Sequence, residues 1–160
     1  MDTSDREIVS TRLFDVPREQ LFHAWSNPEL LARWWGPKDF TNTFHEFDFR
    51  PGGHWRLVMH APTGGNFQNE SVFQEIVPPE RIVWQRISKP LFRVIATFDE
   101  EGSGTRLTFR MLFDTPEECA KIRPFAPAAN EENFDRLEAV LAAHNPRKRP
   151  IEMLLDGDPS

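Results

Sequence analysis

The sequence predicts an α+β fold: a curved antiparallel sheet of about seven strands, two short helices between strands 1 and 2, and a long C-terminal helix that the sheet wraps. Three observations carry this. Strand-length segments fill the chain from Phe40 to Phe113, and only short turns separate them. Connections that short imply antiparallel neighbours, because parallel strands need long crossovers. Helical spacing appears only outside that block, just after the first strand and again near the end. A twisted sheet curves, and a helix across its concave face leaves room for a cavity.

The elements follow in order. Glu7 to Phe14 alternates, with Ile8, Ser10, Arg12 and Phe14 on one face and Val9, Thr11 and Leu13 on the other, which is a strand. Pro17 suits the first turn of a helix whose apolar side is Leu21, Phe22 and Trp25. Asn27-Pro28-Glu29 stops that helix and starts a second, with Asn27 as its cap. Gly36-Pro37 ends the second helix directly after Trp34 and Trp35. Neighbouring helical residues point about 100° apart, so the two tryptophans do not share the centre of one narrow apolar stripe. Trp34 reads as the core anchor and Trp35 as a residue bordering the cavity entrance.

The candidate strands are Phe40–Phe49, His54–His60, Phe67–Val77, Arg81–Ile87, Leu91–Asp99 and Thr105–Phe113. Arg50-Pro51-Gly52-Gly53, Pro62-Thr63-Gly64-Gly65 and similar Pro/Gly/Ser clusters separate them. Thr115-Pro116-Glu117-Glu118 reads as a capping box for a short helix. Pro124 and Pro127 break the chain, and Asn130-Glu131-Glu132 caps the last helix. Phe134, Leu137 and Leu141 give it one apolar face. Residues 1–145 form a single domain on this reading, and 146–160 a charged, proline-containing tail.

Composition narrows the function. A net charge of −6 argues against a nucleic-acid or anionic-membrane surface, since phosphate binding needs a basic footprint. No apolar run reaches the length of a membrane span. The polar start MDTSDREIV does not read as a signal peptide, and the lone Cys119 fits a reducing compartment, so a cytoplasmic protein is expected. There are 14 Phe, 5 Trp and no Tyr, which suggests a dry interior with polarity from few other groups; compositional drift accounts for it equally.

Signals for reactive chemistry are sparse. His54 and His60 share a strand face but stand about 20 Å apart, too far to share a metal. No other pair has ligand spacing, and neither a metal nor a cofactor is expected. Cys119 reads as a structural thiol. His45 alternates with Phe47 and Phe49, which places it on the buried face. It is a candidate ligand contact or proton carrier, although such a histidine is more often a satisfied core residue. Phe67, Asn69, Ser71 and Phe73 share one face of their strand, and Glu70 the other unless a bulge turns it inward. His45 and Glu70 are therefore the candidate catalytic residues. Arg86, Arg93 and Arg110 read as outer-face residues, solvated or paired with the acidic surplus; one of them instead holding a ligand carboxylate at the open end is the alternative.

DVPREQLFHAWSNPELLARWWGP, FHEFDFRPGGHWRLVMHAP, NESVFQEIVPPERIVW, FDEEGSGTRLTFRMLF and ANEENFDRL resemble, in order, the homologues of the C-terminal domain of the heat-shock protein 90 ATPase activator, within the SRPBCC superfamily. The resemblance runs from Arg6 to Ala143 and implies the helix-grip fold of the birch-pollen allergen and of steroidogenic lipid-transfer domains. It also implies a ligand cavity. The inward set is then His45, Phe47, Trp55, Leu57, Met59, Phe67, Asn69, Ser71 and Phe73 from the first half of the sheet. Trp84, Phe92, Val94, Phe109 and Met111 continue it, Phe134, Leu137 and Leu141 cover it, and Trp35 borders it.

The expected function is non-catalytic binding of an apolar or aromatic, lipid-like small molecule, gated near Trp35 and the loop before Asn130. A cyclase- or hydrolase-type enzyme using His45 with Glu70 or Asn69 is the first alternative. A chaperone-activating or stress-response interaction module is the second. The larger activators carry a further N-terminal domain for which this chain has no room, which puts a chaperone partner in doubt. An exposed strand edge leaves a homodimer open.

Overall fold

The computed structural model describes residues 3–143. The tail at 146–160 lies outside the described residues. In chain order the elements are β1 (Glu7–Phe14), α1 (Arg18–Ser26), α2 (Pro28–Trp34), β2 (Thr41–Phe47), β3 (His54–His60), β4 (Asn66–Val77), β5 (Arg81–Arg86), β6 (Arg93–Glu101), β7 (Gly104–Leu112), α3 (Pro116–Ile122) and α4 (Ala126–Ala143). The strands form one seven-stranded sheet in the order β1-β7-β6-β5-β4-β3-β2. Every neighbouring pair is antiparallel. This is the expected α+β helix-grip architecture, with α1 and α2 between the first two strands.

Local chemistry sets the helix boundaries. Asn27 Oδ1 accepts from the N–H groups of Glu29 at 2.9 Å and Leu30 at 3.4 Å, satisfying two otherwise unpaired donors of α2. Thr115 Oγ1 does the same for Glu118 N at the start of α3, at 3.1 Å. Gly36 follows α2 at φ +102, a conformation side chains disfavour, and a Cβ there would stand 2.9 Å from Met59 Cε. The chain therefore turns sharply after Trp35.

One boundary differs from the sequence reading. α4 begins at Ala126, four residues before the expected cap at Asn130. Pro127 does not break it, because proline in the first turn lacks only an N–H that has no intrahelical partner anyway. The segment before Asn130, expected as a loop, is thus the first turn of the long helix.

The core lies between the concave face of the sheet and the helices. Trp34 is 0% exposed and donates its Nε1–H to Ala24 O at 3.0 Å, which locks α2 onto α1. The five tryptophans form one continuous cluster: Trp25 meets Trp34 at 4.7 Å and Trp35 at 6.0 Å, Trp35 meets Trp55 at 4.9 Å, and Trp55 meets Trp84 at 5.6 Å. α4 seats Phe134 edge-on against Phe14 of β1 at 6.1 Å and Phe109 of β7 at 6.2 Å.

Two arginines fasten α4 from outside. Arg12 of β1 pairs with Glu131, Asp135 and Glu138 at 2.7, 2.9 and 3.3 Å. Arg136 of α4 donates to five backbone carbonyls, those of Arg33, Trp35, Gly36, Pro37 and Phe40. It thereby pins the turn after α2 against the helix.

Candidate functional site

α4 changes character along its length, and the site follows from that change. Its C-terminal half sends Phe134, Leu137 and Leu141 into the core at 1%, 0% and 5% exposure. Its N-terminal half presents Ala126, Ala129, Asn130 and Asn133 instead. Small side chains there leave the sheet uncovered, and a cavity of about 210 Å³ remains. At a share of roughly 30 Å³ per water this is room for about seven waters. It is smaller than the ~300–1,000 Å³ of drug-sized ligand sites, and suits a one- or two-ring molecule.

The sheet supplies most of the wall. Trp55, Leu57 and Met59 alternate inward from β3, Asn69 and Ser71 from β4, and Trp84 and Arg86 from β5. Phe92, Val94, Phe109 and Met111 complete it, and Trp35-Gly36-Pro37 borders it on the α2 side. Trp35, Pro37, Met59, Arg86, Phe92 and Ala129 are half-buried, so they mark the open side, while Trp55, Trp84 and Phe109 form the buried floor.

Other residues of the expected inward set lie elsewhere. Phe73 and Phe47 belong to a packed aromatic layer beside the cavity: Phe73 stacks parallel to Trp55 at 6.2 Å, and Phe47 stands perpendicular to both. Phe134 and Leu137 fill the core beyond the lining turn of α4, with Leu141 farther along. Phe67 is on the inner side of β4 but at its beginning, 54% exposed, with its ring against Phe40 at 6.4 Å.

His45 is the clearest correction. Phe44 pairs with Leu57, Glu46 with Arg56 and Phe47 with Trp55, so His45 is an extra residue in a β-bulge. A bulge resets the inward–outward alternation. Phe44 and Phe47 both face the core side, their rings stacked at 5.9 Å, and His45 is exposed on the opposite face. There it shares a polar depression with Arg56, Gln68, Glu70 and Ser88. Glu70 is not turned inward; its carboxylate meets His54 Nδ1 at 3.0 Å. Asn69 lines the cavity, on the other side of the sheet from His45. The expected acid–base constellation inside the cavity is therefore not assembled.

Arg86, expected on the outer face, is a second correction. Ser71 stands directly opposite Arg86 in the β4–β5 register, and paired residues share a face. Arg86 thus points inward, two residues after Trp84. Nε donates to Ser88 O at 2.9 Å and Nη2 to Lys89 O at 3.1 Å, and the guanidinium lies 5.6 Å from the Phe92 ring centroid. Burial lowers its pKa to about 10, which still leaves it cationic at neutral pH. Arg93 and Arg110 face outward as expected, and Arg110 pairs with Glu7.

The polar inventory of the wall is short. Asn130 Nδ2 donates to Ser10 Oγ at 3.1 Å, and Asn133 Oδ1 accepts from Gly36 N at 3.2 Å. Asn69 Nδ2 donates to Phe67 O at 3.2 Å. The lining holds no Asp, Glu, His or Cys. Among the described residues no cluster of three or more metal-ligating side chains occurs, and no helix is long and apolar enough to cross a membrane.

Comparison with solved structures finds the same fold in bacterial proteins. A Nitrosomonas europaea protein superposes with a TM-score of 0.82 at 23% identity, over 91% of this chain and 99% of its own. A Rhodobacter sphaeroides protein gives 0.81 at 26% identity, over 89% and 97%. The AHSA1-like protein of Aeromonas hydrophila gives 0.70 at 20% identity, over 86% and 93%. No curated protein matches the sequence. The family model for "Activator of Hsp90 ATPase homolog 1-like protein" matches residues 15–142, which span every element from α1 to α4 but the last residue. The chain therefore belongs to the Activator of Hsp90 ATPase homolog 1-like family, within the SRPBCC superfamily.

Proposed function

We propose that the protein binds a small apolar or aromatic molecule in the cavity between the sheet and the N-terminal half of α4. The observation that carries this reading is the cavity itself: about 210 Å³, floored by Trp55, Trp84 and Phe109 and bordered by Trp35 and Met111. Flat rings offer large contact area for aromatic ligands, and Met59 and Met111 adapt to irregular shapes. The few polar groups, Asn69, Ser71, Asn130 and Asn133, are those that would orient a ligand.

Binding rather than acid–base catalysis is supported by the wall chemistry. General acids and bases act within hydrogen-bond reach of the substrate, and the titratable side chain on this wall is an arginine, cationic at neutral pH. His45 and Glu70 sit on the opposite face of the sheet.

Native mass spectrometry of protein purified from its own host tests the reading. A small molecule that stays through desolvation and leaves on unfolding is the expected result. An apo mass, together with no heat of binding for any of a panel of one- and two-ring aromatic compounds, overturns it.

A further inference from the structure

Among the described residues one charged side chain lines the cavity, that of Arg86, and no carboxylate lines it with Arg86. Elsewhere in this chain of 25 Asp and Glu against 19 Lys and Arg, seven arginines among the described residues pair with carboxylates. Arg12 holds three carboxylates, and Arg50, Arg81, Arg106 and Arg110 hold one each. Arg136, the other arginine whose pKa burial lowers, spends its donors on five carbonyls of the turn after α2. Arg86 is different. It lines the cavity, meets no carboxylate within ion-pair distance among the described residues, and uses Nε and Nη2 on backbone carbonyls. Its Nη1 has no protein acceptor among the described residues.

The surroundings point the same way. Ser71 projects beside Arg86 from the facing strand, with a hydroxyl for which the described residues provide no partner. Cross-strand partners place their Cβ atoms about 4.5–5.5 Å apart, so one small group can reach both side chains. The first turn of α4, with Ala126 and Ala129 on the cavity wall, adds the positive end of a helix dipole. Arg86 is half-buried and its charge faces no carboxylate, so an anionic group on the ligand would gain a charge-assisted hydrogen bond there.

We propose that the ligand of this cavity is a small aromatic or alicyclic monocarboxylate. Its ring lies against Trp35, Trp55 and Trp84, and its carboxylate oxygens divide between Arg86 Nη1 and the Ser71 hydroxyl. With Nε and Nη2 already engaged, the guanidinium offers one nitrogen rather than its bidentate fork, which suits a single negative charge shared with a hydroxyl. A phosphate would bring up to two charges to a wall with a single cation. This assignment rests on the apolar-cavity reading above.

The test is calorimetric titration of naphthalene-2-carboxylate and its neutral isostere naphthalene-2-carboxamide into the wild-type protein, Arg86→Gln and Ser71→Ala. The expected result is that wild type prefers the carboxylate by about tenfold or more, which is ~1.4 kcal/mol. Arg86→Gln lowers carboxylate affinity more than amide affinity and so removes that preference, and the amide binding that remains shows that the variant is folded. Ser71→Ala narrows the preference severalfold, and added salt weakens carboxylate but not amide binding in wild type. Equal affinities in wild type, or a preference that survives Arg86→Gln, overturn the anion assignment and leave the cavity reading standing. If Arg86→Gln does not fold, a carboxylate preference insensitive to both salt and Ser71→Ala overturns it as well. Failure of both compounds to bind wild type overturns the cavity reading and the assignment together.

Discussion

The ring of Trp35 lies 4.9 Å from that of Trp55, tilted by 59°, although one residue caps the end of α2 and the other is the second residue of β3. Trp34, its sequence neighbour, is fully buried against Trp25. The pair thus divides between core and cavity. Trp34→Ala is expected to cost about 3–5 kcal/mol in urea unfolding, as for other large core truncations. Trp35→Ala is expected to cost less than half of that and to weaken naphthyl-ligand binding at least tenfold (~1.4 kcal/mol). Equal destabilisation by the two variants would place Trp35 in the core.

Ala129 makes room on the α4 side. Ala129→Leu introduces an isobutyl group at the cavity wall. Filling a cavity commonly adds about 0.5–2 kcal/mol when the new side chain fits. The expected outcome is unchanged or raised thermal stability with loss of two-ring ligand binding. Undiminished binding in a folded Ala129→Leu protein counts against a ligand position beside α4.

His45 lies on the outer face, so His45→Ala is expected to leave both properties alone. Stability should stay within about 0.5 kcal/mol of wild type, the usual range for exposed positions. Ligand affinity should stay within twofold. A larger loss of affinity would mean that the outer depression, not the inner cavity, receives the ligand.

Arg136 gathers five carbonyls, and lysine cannot reproduce that fork. Arg136→Lys is expected to cost on the order of 2–3 kcal/mol and to speed amide hydrogen exchange in residues 35–40. Uniform exchange changes across the sheet would point to global rather than local loosening.

Hydrogen bonding from Arg106 holds the Glu101 carboxyl below its ordinary range, with Nε 2.8 Å from the carboxylate. A depressed native pKa means that the unfolded state binds more protons between the two values. The contribution is present above the unfolded value and is lost as pH falls through the native one. Both side chains reach solvent, Arg106 at 37% and Glu101 at 50% exposure, so solvent and salt screen the pair. Arg106→Gln is expected to move the Glu101 titration midpoint upward in NMR, with neutral-pH stability unchanged. An unmoved midpoint would show that the pair does not form in solution.

The fold was legible in the sequence because turn chemistry punctuates every strand and short turns leave only antiparallel pairing. The helix boundaries at Asn27 and Thr115 were legible because a capping side chain is a local device. Parts of the site were not, and each has its own reason. The bulge at His45 carries no glycine or proline signature, so strict alternation assigned the wrong face to it. Pro127 reads as a breaker unless it falls in a first turn, and that hid the lining turn at Ala126 and Ala129. Arg86 could have been placed: it follows Trp84 by two residues on a strand. The expectation that arginines are solvated outweighed that spacing. Phe73 and Phe134 do face inward, but periodicity gives direction without depth, and whether a side chain ends in a void or against another ring depends on elements far away in the chain.

The continuous tryptophan cluster has an optical consequence. The chain has no tyrosine, so its near-ultraviolet absorption and emission belong chiefly to five indoles packed in one place. Rings this close exchange excitation, and light absorbed at Trp34 reaches Trp35 at the cavity edge. A molecule entering the cavity would change the surroundings of Trp35, Trp55 and Trp84, so circular dichroism and emission would report it without any attached dye.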